Sequence, residues 1–312
     1  MAFTSQTTLA QRVEVTGIGV HSGKPASLIL HPAEANSGIV FLRTGLPGGN
    51  DRLIPARHTL VSATELCTIV GDVATGSVST IEHLLAALAG LGIDNVLIEI
   101  DGPEVPIMDG SAAPFVEAID SAGIRRQVAA RRYLRVLKTV RVQQGRAWAE
   151  LHPHARGFRL EVEIDFDTKA IGRQKTSINL DPQSFRKDLA RARTFGFMCD
   201  VEKLWKAGFA LGASLDNTVA LGDDAVVNPE GTRWPDEFSR HKTLDAVGDL
   251  ALAGAPILGL YRSYMGGHRL NFSILEALFA DRSAYAFVEE GRRETGHAEI
   301  GVRVAAYAAQ ND

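Results

Sequence analysis

Cysteine is almost absent. Cys67 and Cys199 are the only two in 312 residues, too few for a disulfide framework or a thiolate zinc site. Isolated buried thiols in a reducing compartment are the expectation. A basic surplus is also missing: 33 Lys and Arg stand against 37 Asp and Glu, a net charge of −4, which argues against nucleic acid as a partner. No apolar run approaches the ~18 residues of a membrane span, the longest nearly unbroken one being 84–93. The first nine residues have neither the charged nor the apolar region of a secretory signal. A cytoplasmic protein without a membrane span is therefore expected, and a monomer is the expectation for its assembly.

What is present is an ordinary globular balance, 45% hydrophobic and 22% charged, in a chain long enough for two domains. Short β-patterned runs at 13–15, 26–30 and 96–100 alternate with helix-like segments at 80–90 and 111–122. A basic, poorly periodic stretch at 125–132 separates these from strand patterns at 133–142, 147–152 and 158–166. A helix after Asp181-Pro182, a short helix near 200–207, strands near 216–227 and a long helix from Ser239 to about Ala253 follow. The pattern is α+β, with a first domain at 1–127, a second at 128–281 and a C-terminal tail at 282–312. No short-period repeat accompanies it.

In the helix opening at Ser239, His241, Asp245 and Asp249 fall at i, i+4 and i+8 and share one face. Imidazole and carboxylate one turn apart can meet a single ion; a hydrogen-bonded surface stripe has the same spacing. Ser79-Thr80-Ile81-Glu82-His83 opens the apolar helix. Its Ser-x-x-Glu is also a capping box, in which Glu82 would only satisfy a backbone N–H. Alternatively, His83 binds a metal and Glu82 reaches a water beside it. His268 follows Gly266-Gly267, a pair that suits a tight loop, and His21 lies in a glycine-bearing loop that is no dinucleotide fingerprint. Asp101-Gly102-Pro103-Glu104 and Asp109-Gly110-Ser111 are acidic but have turn composition.

Taken together, GIGVHSG at 17–23, STIEHLLAALAGLGIDN at 79–95, DGPEVPIMDGSAAPFV at 101–116, ARTFGF at 192–197, DEFSRHKTLDAVGDLALAG at 236–254 and GGHRLN at 266–271 resemble the UDP-3-O-acyl-N-acetylglucosamine deacetylases of the Gram-negative lipid A pathway. The resemblance implies hydrolysis of that substrate's N-acetyl group, to UDP-3-O-acyl-glucosamine and acetate. It implies two similar α+β domains packed face to face, the second carrying a small β-α-β insert near 195–228 that holds the acyl chain. One zinc ion per chain would be held by His83, His241 and Asp245, a set that iron(II) also tolerates. Glu82 would be the base, His268 the catalytic histidine with Asp249 beside it, Thr194 a polarising group for the carbonyl and Lys242 a substrate contact. His21, Phe195, Asp165 and Phe166 would line the substrate, the last two near the uridine. Either His268 or Glu82 would return a proton to the leaving amine. A zinc amidohydrolase for another N-acetylated substrate and a silent nucleotide-sugar binder are the alternatives.

Overall fold

Alternation of apolar and polar residues turns one side of each early strand inward: Ala26, Leu28 and Leu30 are buried in Pro25–Pro32, and Val96, Ile98 and Ile100 in Val96–Ile100. In the computed structural model, which describes residues 5–289, these two strands pair antiparallel inside a five-stranded sheet. Its order is Val13–Ile18, Pro25–Pro32, Val96–Ile100, Ile39–Arg43, Arg52–Pro55. Helices α1 (Glu82–Leu91) and α2 (Ala113–Ala122) belong to this half.

The second half builds a seven-stranded sheet around Ile257–Tyr264, which pairs with Ala147–His152, Arg132–Val136 and Phe158–Asp165. After Arg173–Leu180 come the three-residue α3 (Pro182–Ser184), capped by Asp181, and a π-helical turn, Phe185–Leu189. Next are α4 (Met198–Lys206), α5 (Glu237–Ala251) and α6 (His268–Ala280). The strand Phe195–Phe197 pairs parallel with Val219–Leu221 across α4, which makes the small β-α-β unit. The fold is α+β. α1 and α5 pack against each other, and Gly248 sets how closely: a Cβ there would stand 2.0 Å from the Glu82 carbonyl oxygen. The metal-type residues of one helix therefore face those of the other.

Several expectations are corrected. The stretch 125–132 is no irregular spacer, because Ile124–Ala130 is a strand paired with Ser5–Leu9 and runs through residue 128. Its own side chains are mostly exposed while its partner's are buried, so its apolar pattern is weak although its backbone is paired. The run 133–142 is two strands, Arg132–Val136 and Val140–Gln144. The region 216–227 holds only the three-residue strand Val219–Leu221. A tail starting at 282 is not observed: Tyr285–Glu289 pairs with Arg132–Val136 in the large sheet, and the rest of the expected tail, 290–312, lies outside the described residues. Cys67 is buried as expected, but Cys199 is exposed on α4.

Candidate active site

α5 is buried on nearly every face, so its His-Asp row is not a solvated stripe. His241 Nε2 lies 3.3 Å from Asp245 Oδ1, and His83 Nε2, arriving from α1, lies 3.6 Å from the same oxygen. The two imidazoles stand nearly perpendicular, with centroids 5.0 Å apart. His241 Nδ1 donates to the Ala192 carbonyl at 3.0 Å, which leaves its Nε2 with a lone pair. Burial pushes the His241 pKa down to about 3, so the ring is neutral at pH 7. Burial disfavours an ionised Asp245, yet the Lys242 ammonium, 2.8 Å from Oδ2, counters it, and the carboxyl lies well below its usual range.

The other oxygen of Asp245 decides what the group is suited to. Oδ1 is buried and has no hydrogen-bond partner among the described residues, and His83 Nδ1 shares that condition. An anionic oxygen left this way costs about 1–3 kcal/mol or more. Ligand atoms of His83, His241 and Asp245 all fall within 4.8 Å of one another. Two imidazoles and one carboxylate arranged so fit a divalent cation.

Directly beside it sits a second group, Glu82, Asp249 and His268, whose hydrogen bonds are nearly complete. Asp249 Oδ2 accepts from His268 Nδ1 and from Asn271 Nδ2, both at 2.8 Å, and its Oδ1 accepts from the Thr68 hydroxyl at 2.6 Å. Glu82 Oε2 accepts from the Thr68 backbone N–H at 3.1 Å. That contact disposes of the capping box: helix α1 has no side-chain cap. His268 is not in a loop but is the first residue of α6, after Gly267, and its Nε2 stands 3.8 Å from Glu82 Oε1. Burial alone would lower the His268 pKa, but the charges of Asp249 and Glu82 outweigh it and push it up to about 9. Burial raises the Glu82 carboxyl above its ordinary value. Thr68, Asn271 and Tyr261, whose hydroxyl donates to Asn271 Oδ1 at 2.5 Å, escaped the sequence reading. Only Asn271 left a trace, one helical turn after His268.

The remaining expected residues surround these groups at different depths. Thr194 is tied through its backbone N–H to the Gly110 carbonyl at 2.8 Å, two residues after the carbonyl that holds His241. The Phe195 ring lies 6.2 Å from His241, 5.8 Å from Lys242 Nζ and 6.0 Å from Phe166. Asp165 Oδ2 accepts from the Tyr264 hydroxyl at 2.7 Å, and its N–H meets Met265 Sδ at 2.9 Å, close in sequence to His268. His21 lies in the loop after Val13–Ile18 and meets the Phe209 ring edge-on at 5.6 Å. Asp109 pairs with Arg233 at 2.9 Å and Asp101 accepts from the Ser27 N–H at 2.7 Å, so both serve local structure. Cys67 neighbours Glu82, and burial pushes its thiol up to about 12, leaving it protonated. A cavity of about 620 Å³ lies behind the site, between Ala89 and Gly90 of α1 and Val247 and Leu250 of α5, and none of the site side chains lines it.

The family model for UDP-3-O-acyl N-acetylglycosamine deacetylase matches residues 6–280. The chain belongs to this deacetylase family. Proteins named UDP-3-O-acyl-N-acetylglucosamine deacetylase in Brucella ovis and Brucella abortus are each 52% identical to it over 285 residues, 91% of this chain and 98% of the relative. The protein of that name in Brucella melitensis biotype 2 matches equally well, at 52% over 285 residues. Members of the deacetylase family depend on a metal, and the two groups above are those among the described residues that could hold one. No helix among the described residues is long and apolar enough to cross a membrane.

Proposed function

We propose that this chain removes the N-acetyl group of UDP-3-O-acyl-N-acetylglucosamine by hydrolysis, giving UDP-3-O-acyl-glucosamine and acetate, as the committed step of lipid A synthesis in the cytoplasm. One observation carries the mechanism: an incompletely bonded group of His83, His241 and Asp245 lies against a hydrogen-bonded group of Glu82, Asp249 and His268. The first is the arrangement of a metal site, the second that of a proton-transfer site. In this reading two α+β units meet at α1 and α5, and each contributes to both groups.

His83, His241 and Asp245 would hold one ion, with zinc favoured by two nitrogens and one carboxylate oxygen. Such an ion supplies Lewis-acid charge that polarises a carbonyl and makes water a better nucleophile at neutral pH. Glu82 takes the proton of the attacking water; its burial makes that acceptor more basic than an exposed carboxylate. His268, kept cationic by Asp249, faces the developing oxyanion together with the Thr194 hydroxyl. His268 Nε2, the ring nitrogen that Asp249 leaves free, delivers a proton to the departing amine. Lys242 fixes Asp245 and packs near the Phe195 ring. His21 and Phe195 border the sugar, Asp165 and Phe166 the uridine, and the β-α-β unit the acyl chain. That unit exposes Met198, Trp205, Leu211 and Leu215, a surface suited to an acyl chain.

The test is acetate release by metal-loaded protein from the UDP-sugar with and without its 3-O-acyl chain. Release from the acylated substrate alone is the expected result. Equal release from both, or none from the acylated one, contradicts the assignment.

A further inference from the structure

Asp101-Gly102-Pro103-Glu104 has the composition of a turn, yet Glu104 is only 1% exposed. Its carboxylate forms no ion pair with lysine or arginine among the described residues and is held instead by three donors. Oε1 accepts from the His21 N–H and the Thr80 hydroxyl, both at 2.9 Å, and Oε2 accepts from the Ser22 N–H at 2.8 Å. Those donors come from two separate segments, the loop 19–23 and the residue two places before Glu82.

Both segments are held under constraint. Thr80 has φ +55°, a left-handed conformation that a β-branched residue rarely adopts. Main-chain bonds fasten its neighbour to the same motif: Ser79 N–H donates to the Pro103 carbonyl and Val105 N–H to the Ser79 carbonyl, each at 3.0 Å. On the other side Gly19 leaves room for the carboxylate, because a Cβ there would stand 2.1 Å from Glu104 Oε2. The loop also carries the inserted unit: Leu211 N–H donates to the His21 carbonyl at 3.1 Å and Gly212 N–H to the Val20 carbonyl at 3.0 Å. A buried carboxylate accepting from backbone N–H groups is a strong, directional tie, and a neutral amide in its place would turn a donor toward donors.

We propose that Glu104 is a positioning residue for substrate recognition. It locks the loop that presents His21, and through that loop the 209–212 arm of the insert, to the start of the helix carrying Glu82 and His83. The kinetic part of the proposal rests on the deacetylase reading above.

The experiment compares metal-loaded wild type with Glu104→Gln, His21→Ala and the double variant. Each single change is expected to raise KM by about 10-fold or more while kcat stays within about 3-fold, with bound metal unchanged. The double variant should be no worse than the poorer single one, because both changes break one contact chain. Gly19→Ala pushes a methyl group onto the carboxylate and should give the same rise in KM, which keeps the test available if Glu104→Gln does not fold. The backbone amide protons of His21 and Ser22 should move upfield in Glu104→Gln. That measurement needs no turnover, so it reads the tie even where the wild type fails to deacetylate the UDP-sugar and the functional reading falls. Multiplicative losses in the double variant, unmoved amides, or lost metal with unchanged KM overturn the proposal.

Discussion

The groups His83, His241, Asp245 and Glu82, Asp249, His268 use the same side-chain types and share helices α1 and α5. They differ in how their oxygens are satisfied. Asp249 accepts from His268, Asn271 and Thr68, whereas Asp245 has Lys242 on one oxygen and, among the described residues, no hydrogen-bond partner on the other. A carboxylate surrounded by donors sets the position and charge of its neighbours; one left open beside two imidazoles asks for a cation. In the proposed reading, similar composition becomes two kinds of chemistry through the placement of a few supporting donors.

The sharpest way to break this comparison is to neutralise Glu82. Glu82→Gln should lower turnover by roughly 10²-fold or more while metal content and thermal stability stay near wild type. A large fall in melting temperature with near-normal turnover would return Glu82 to a structural role. His268→Gln should also cost about 10²-fold and remove or displace the alkaline limb of the pH–rate profile, since that limb needs an imidazolium. If both limbs persist at little loss, the alkaline limb belongs to another group. In metal-free protein the folded pKa of His268, about 9, lies above the ordinary 6.5. Its contribution to stability is therefore full below about 6.5 and is lost as pH rises through about 9. Denaturant melts of wild type and His268→Gln across that window should converge at the alkaline end. The smallest effect is expected from Thr68→Val, which removes the hydroxyl on Asp249 but keeps the N–H on Glu82: activity down by about 3- to 10-fold, metal retained. Loss of metal in this variant would mean that the two groups are not separable.

Much of this was legible in the sequence because it is local. The i, i+4, i+8 row of α5 and the adjacent Glu82-His83 are written within single helices, and the strands 26–30 and 96–100 follow from alternation. α6 is harder to read because Gly266-Gly267 has loop composition, although Leu270, Ile274, Leu275 and Leu278 repeat at helical spacing. The strand Ile124–Ala130 was hidden because its partner, not its own side chains, supplies the burial. Thr68 could not have been found at all: its tie to Asp249 spans 181 residues, and an isolated threonine carries no pattern.

Metal stoichiometry across a set of variants tests the division of labour most directly. Wild-type protein purified without chelator should carry one divalent ion per chain; His241→Ala and Asp245→Asn should lose it, while Glu82→Gln and Asp249→Asn should keep it. Full metal in His241→Ala, or loss of metal in Glu82→Gln, would contradict the assignment of the two groups.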